Sequence, residues 1–322
     1  MKKKVLELAL TIALAGVGQH PPSAWAATLT VCPPAGLLPA GCYPTIAGAL
    51  SAAADGDTIE VPAGRFVERL SIRRSVTIRG VNFDNTNIDG GREGGPVTVH
   101  VDGGATVTLE HLRITGAVLT GIENLGTLTL QSVWVSDNGD HSASSGGGIN
   151  NQGRLTINNS VIHHNEANSG GGIDNQGWLV VNSSRIDDNQ AGDRFSCCNN
   201  DLSGLGGGLF NRAGGRAELV DSTLESNFAS RNGGGIVNGL GVTLVLRRTG
   251  VIQNEAQLRG GGLYNQGEAR LFAATIALNV ARGRERHTAA GGGVFNDTLR
   301  GKISLLDGTS VAGNTPDNCL GC

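Results

Sequence analysis

Six copies of one short block, Gly-Gly-Gly-[Ile/Leu/Val]-x-Asn, limit what this chain can fold into. They begin at Gly146, Gly170, Gly206, Gly233, Gly260 and Gly291, and they end at Asn151, Asn175, Asn211, Asn238, Asn265 and Asn296. A degenerate copy, Gly121-Ile122-Glu123-Asn124, precedes them. A second asparagine follows each block by 14 to 18 residues: Asn138, Asn165, Asn189, Asn227, Asn254, Asn279 and Asn314. Three positions before each of these sits an apolar residue: Val135, Ile162, Ile186, Leu224, Val251, Ile276 or Val311. Eight positions before sits another: Leu130, Ile157, Val181, Leu219, Leu246, Leu271 or Leu306.

A period of 24 to 36 residues is the signature of a solenoid. Each period is one coil, and its short strands stack on the next coil about 4.8 Å away as parallel strands. Equivalent residues then form columns. In Leu155-Thr156-Ile157 and Leu244-Val245-Leu246 the alternation points the first and third residues inward. The asparagines mark corners, where Asn tolerates left-handed backbone and its amide can bond the Asn of the next coil. Such ladders satisfy buried polar groups that would otherwise cost about 1–3 kcal/mol each. The glycines allow positive φ or close approach. The expected fold is all-β, a right-handed parallel β-helix of about ten coils, a rod on the order of 50 Å long.

Composition agrees. Of 322 residues, 51 are glycine, 39% are hydrophobic and only 4% aromatic, which suits short strands and tight turns better than disorder or a helical bundle. Residues 1–26 have the pattern of a secretory signal: Lys2, Lys3 and Lys4, an apolar run over 5–17, and Ala24-Trp25-Ala26 as a cleavage site. Its removal takes three lysines and one glutamate, shifting the formal charge from −3 to about −5. No basic stripe remains, which argues against nucleic acid, and no later segment is long and apolar enough to span a membrane as a helix. The expected location is outside the cytoplasm: extracellular, outer-membrane surface or periplasm. Six cysteines in an exported chain imply disulfides. Cys32 with Cys42 and Cys319 with Cys322 would close terminal loops, whereas Cys197 and Cys198 have no assigned partners; fifteen pairings are open in principle.

Residues 27–56 read as an N-terminal cap. The Pro- and Ala-rich segment 44–54 favours a short helix over the open end of the solenoid. Thr58-Ile59-Glu60-Val61 reads as the first strand, and the β-helix as residues 57–322. An insertion at 192–205 interrupts the longest period and is a candidate binding loop or a disulfide-pinned one; a basic insertion occupies 282–287.

The Gly-Gly-Gly/Asn blocks resemble right-handed parallel β-helix proteins of the pectin-lyase-like superfamily. They are also similar to the repeats of polymorphic outer-membrane proteins, with an aliphatic residue before Glu225-Ser226-Asn227 and its equivalents where that family has Phe. The segment Val61-Pro62-Ala63-Gly64-Arg65-Phe66-x-Glu68, followed by Val76-Thr77-Ile78-Arg79-Gly80, is similar to an opening motif of the superfamily. The resemblance implies the fold and is weak for activity. Val133-Trp134-Val135-Ser136-Asp137 differs from the pectate-lyase Val-Trp-Ile-Asp-His motif at its informative positions, so Trp134 reads as a surface aromatic. Asp187-Asp188 lacks the other motifs of a polygalacturonase.

Stacking nominates one constellation. Two residues before the second asparagine, successive coils carry His163, Asp187 and Glu225; one residue before it they carry Asp137, His164 and Asp188. Columns of acid and imidazole could exchange protons or bind a metal, although solvated strands also carry such residues. No cofactor is required. Calcium is the one cation left open, by the near-match Gly171-Gly172-Ile173-Asp174. The expected function is an exported or cell-surface module for binding or adhesion, its partner a polysaccharide or a cell-surface protein. A polysaccharide lyase or glycosidase on the same fold and a purely structural envelope solenoid are the alternatives. Nothing in the sequence fixes the oligomeric state.

Overall fold

The computed structural model describes residues 26–34, 40–92, 95–140, 145–193, 203–283 and 289–322. Cys197, Cys198, residues 1–25 of the signal segment and most of both insertions lie outside these. The chain winds into a right-handed parallel β-helix of about ten coils. Among the described residues its first sheet has eleven strands, its second and third have ten each, and a narrow fourth has five, all parallel.

Within one coil the chain passes through the second sheet (Ile149–Asn151), the first (Arg154–Asn158), the third (Val161–His163) and the fourth (Glu166–Ala167) before the next glycine block. Each sheet contributes inward columns. In the first, Leu128, Leu155, Leu179, Ala217, Leu244, Ala269 and Ile303 are in register, as are Leu130, Ile157, Val181, Leu219, Leu246, Leu271 and Leu305. The last position corrects the spacing argument, which placed Leu306 there. The turn after the final strand of this sheet is one residue longer than in the coil before, so Leu305 takes the inward place. In the second sheet Ile149, Ile173, Leu209, Ile236 and Leu263 turn inward, and in the third Ile162, Ile186, Leu224, Val251 and Ile276, all fully buried. Each such side chain contributes about 1.5–3 kcal/mol by leaving water.

The asparagines occupy two corners. In the first, Asn124 Nδ2 donates to Asn151 Oδ1 at 2.7 Å, and the pattern repeats through Asn175, Asn211, Asn238, Asn265 and Asn296. In the second, Asn138, Asn165, Asn189, Asn227, Asn254, Asn279 and Asn314 each direct a backbone N–H and Nδ2 at the Oδ1 of the next, and Asn318 closes the series. The left-handed residue at this corner is not the asparagine, as the sequence suggested, but the one before it: Asp137, His164, Asp188, Ser226, Gln253 and Leu278 have φ of 51–58°. The turn is made there so that the amide can point inward. The first glycine of each block has φ of 60–68°. The second and third glycines lie so close to the next coil that a Cβ would meet its backbone.

The solenoid starts earlier than expected. Thr28–Thr30 pairs in parallel with Thr58–Glu60 at the edge of the first sheet, inside the segment read as a cap. The helix spans Ile46–Ala52, with Thr45 rather than Pro44 at its start; the Thr45 hydroxyl accepts from Gly48 N. Both Glu68 carboxylate oxygens accept from the N–H groups of Ile46 and Ala47 at 3.0 Å, which satisfies donors a helix start leaves open. Ile46, Ala49 and Leu50 pack on the core. Disulfides join Cys32 to Cys42 and Cys319 to Cys322. Among the described residues no helix is long and apolar enough to cross a membrane.

Candidate functional site

The residues singled out by stacking lie on the outer face and corner of the third sheet. Ser136, His163, Asp187 and Glu225 are register partners on successive coils. His163 and His164 meet directly, Nδ1 to Nδ1 at 2.8 Å. Glu225 stands two coils from His163, roughly 10 Å, so the column is not one constellation. Arginines hold most of its acids. Arg113 binds Asp137 at 2.6 Å and the Ser136 hydroxyl at 2.7 Å. Arg185 binds Asp187 at 3.0 Å and lies 3.9 Å from Glu225. Asp187 is 4% exposed, and burial, outweighing Arg185, pushes its carboxyl up to about 6. Burial, then the neighbouring His164, lowers the His163 imidazole below its usual value. Trp134 is half-buried, stacked on Phe83 at 4.5 Å and edge-on to His163 at 5.3 Å.

A second face was not singled out from sequence. The variable position of each glycine block points outward from the second sheet, so one column runs His100, Glu123, Asn150, Asp174, Phe210, Val237, Tyr264, Phe295. Its character changes along the axis. Near the N-terminal end His100 lies between two carboxylates, 2.8 Å from Glu123 and 2.9 Å from Asp102. In the middle Asp174 has no exposed surface. Arg212 Nε stands 2.8 Å from its Oδ1 in a close ion pair, and the Ser145 side chain also acts on the carboxyl. Burial wins over that charge and raises the Asp174 carboxyl to about 6.

Beyond Asp174 the column becomes aromatic and the surroundings cationic. Tyr264 and Phe295 stack at 5.2 Å, 5° from parallel. Arg212 sits over Phe210 at 5.8 Å and Arg259 over Phe295 at 5.0 Å. A cleft of about 340 Å³ opens here, lined by Phe210, Arg212, Arg231, Leu240, Tyr264 and Gln266 among others. Burial, then the charge of Asp297, raises the Tyr264 phenol against the opposing pull of Arg259, Arg300 and Arg231. The phenol therefore stays protonated near neutral pH, able to donate and accept hydrogen bonds. A column of aromatic side chains with guanidinium groups laid over its rings suits ligands that carry anionic substituents. The signal for this face was present as the x of Gly-Gly-Gly-[Ile/Leu/Val]-x-Asn, read as variable.

No protein-family model and no curated protein matches the sequence. Solved structures do. The chain is similar to an alginate lyase from Paenibacillus sp. str. FPU-7, at 16% identity and a TM-score of 0.52, over 89% of this chain and 97% of that one. Pectate lyase Pel9A follows at 13% identity and 0.46, over 91% and 72% of the two chains. Pectin methylesterase PemA from Erwinia chrysanthemi aligns at 11% identity and 0.40, over 92% of each. At 16% identity the likeness to the alginate lyase establishes architecture alone.

Proposed function

We propose that this chain is an exported or cell-surface module that binds an acidic polysaccharide, and that residues 1–26 are the signal removed on export. The observation that carries the reading is the outer face of the second sheet, where Phe210, Tyr264 and Phe295 lie in one column, interrupted by Val237, and Arg212, Arg231 and Arg259 stand along it. Guanidinium groups pair with carboxylate or sulfate in two-point contacts, and the partly exposed rings offer apolar surface beside them. The alginate lyase of similar fold is named for a polyuronate substrate, which makes that polymer class the first to try.

Binding rather than turnover is the primary reading. In the aromatic half of the cleft the titratable side chain on the floor is Tyr264, whose raised value keeps its proton, and a protonated phenol is a poor base. Purified residues 27–322 should bind alginate or polygalacturonate and not dextran. Tyr264→Ala and Arg259→Ala should each weaken binding about tenfold or more, by roughly 1.4 kcal/mol. Unsaturated products released from either polymer would replace the binding reading with a lyase. Equal affinity for dextran, or none for any acidic polymer, would remove the acidic polysaccharide as ligand.

A further inference from the structure

We propose that His163 and His164 form a two-imidazole site for a divalent late transition metal, Cu²⁺ in the first place, on the outer corner of the third sheet. This site is separate from the polysaccharide face, which lies on the second sheet.

The geometry comes from the corner itself. His163 ends the strand Val161–His163, and His164 occupies the left-handed turn position with φ of 52°. Two consecutive residues thereby project side chains to the same side instead of alternating, and the two Nδ1 atoms face one another at 2.8 Å. In neutral imidazoles one of these nitrogens carries a proton and the other accepts it. An entering ion takes both Nδ1 lone pairs once the two rings turn so that these converge on it instead of on each other. The shared proton moves to the far nitrogen of its own ring, so the neutral pair need lose no net proton.

Bite size decides which metal fits. With metal–nitrogen distances near 2.0–2.1 Å, nitrogens 2.8 Å apart subtend about 86° at the ion. That is close to the right angle of square-planar or tetragonal Cu²⁺ and Ni²⁺ sites. Tetrahedral zinc needs about 3.3 Å between the same two atoms. Among the described residues no three His, Cys, Asp or Glu side chains converge on one point, so the pair supplies two ligands and water the rest.

The surroundings favour a cation. Asp137 and Asp188 occupy the same corner on the coils either side of His164, and both carboxylates act on His163. Arg113 also acts on it, but its guanidinium is engaged with Asp137 and Ser136. Arg185 is paired with Asp187. His164 is exposed and His163 half-buried, so an ion has access.

The test is calorimetric titration of tag-free residues 27–322 with Cu²⁺ and with Zn²⁺ near pH 7.5, with electron paramagnetic resonance of the copper form. One Cu²⁺ per chain is expected, with hyperfine coupling to two imidazole nitrogens and affinity at least about tenfold above that for Zn²⁺. His163→Ala and His164→Ala should each lose the two-nitrogen signal and bind about tenfold or more weakly, while His100→Ala should bind as the parent does. Melting curves of the three variants without metal show whether each is folded; should His163→Ala unfold, His163→Gln replaces it. Copper binding that survives both histidine substitutions, or that is lost with His100→Ala, overturns the proposal. Zinc bound as tightly as copper overturns the right-angle bite on which it rests.

Discussion

Asp174 has no exposed surface, and the nearest guanidinium does not compensate for its burial. Its carboxyl is raised from 3.8 to about 6 because desolvation outweighs the charge of Arg212. A raised carboxyl means that the folded chain keeps a proton that the unfolded chain has lost between about pH 4 and pH 6. Stability from this residue is therefore fully present below the unfolded value and is lost as pH climbs through about 6. Asparagine at the same place has no proton to lose. The stability of Asp174→Asn relative to the parent should rise between pH 4 and pH 6.5, by on the order of 3 kcal/mol at most, and then level. Urea unfolding of both proteins across that range would show it. A difference that stays constant with pH would mean that Arg212 holds the carboxylate ionised after all. Asp187, similarly shifted by burial, titrates in both proteins and cancels from the comparison.

At the scale of the element, the glycine block shows what was legible in the sequence and what was not. The coil, its inward columns and its asparagine corners could be placed because they repeat, and repetition in a solenoid means contact. What does not repeat was harder. Thr28–Thr30 lies before the first repeat and has no period to identify it, yet it joins the first sheet. Leu305 took the place expected of Leu306 because the final turn has an extra residue. The face built from Phe210, Tyr264 and Phe295 was hidden for the opposite reason: its residues differ from coil to coil, and variation within a repeat reads as absence of constraint. The predicted third-sheet column was found from its spacing, but the arginines that hold its acids come from residues the spacing argument did not examine.

The same block yields a prediction. A Cβ on Gly171 would run into the backbone of Gln190, where the chain has wound round to pack against the glycine block, and no flexible side chain is there to yield. Gly104 sits in an open turn with nothing within 4 Å of the same atom and an ordinary φ. Gly171→Ala should cost at least about 2 kcal/mol through coil separation. Gly104→Ala should be neutral or stabilising by about 0.4–1 kcal/mol, since alanine restricts only the unfolded chain. Thermal or urea unfolding of the two variants measures both. Equal effects would mean that the coils can spread apart at little cost.

The whole molecule is asymmetric along its axis. At the N-terminal end the helix Ile46–Ala52 lays Ile46, Ala49 and Leu50 on the core, Glu68 ties down the start of that helix, and the Cys32–Cys42 disulfide closes the loop before it. Ile59 beneath is fully buried. At the C-terminal end the last strand of the first sheet, Lys302–Leu306, has among the described residues a neighbour on one side only. Leu305 in the inward column is 41% exposed, whereas Leu271, one coil earlier, is fully buried. In a solenoid each coil is stabilised mainly by its neighbours, so a terminal coil with one neighbour and an open core should unfold locally before the rest. Hydrogen exchange followed by mass spectrometry should therefore find amides in Lys302–Leu306 and Ser310–Ala312 exchanging much faster than those in Thr243–Arg247. Near the other end Thr58–Glu60, covered by the helix and paired on both sides with Thr28–Thr30 and Thr77–Arg79, should exchange more slowly than Lys302–Leu306. Repeating the exchange at several protein concentrations separates two causes. Fast exchange at every concentration places the weak end in the isolated chain. Protection that grows with concentration would show that a second copy covers the open core, and the lone-chain gradient would then have to be sought below the dissociation constant of that pair.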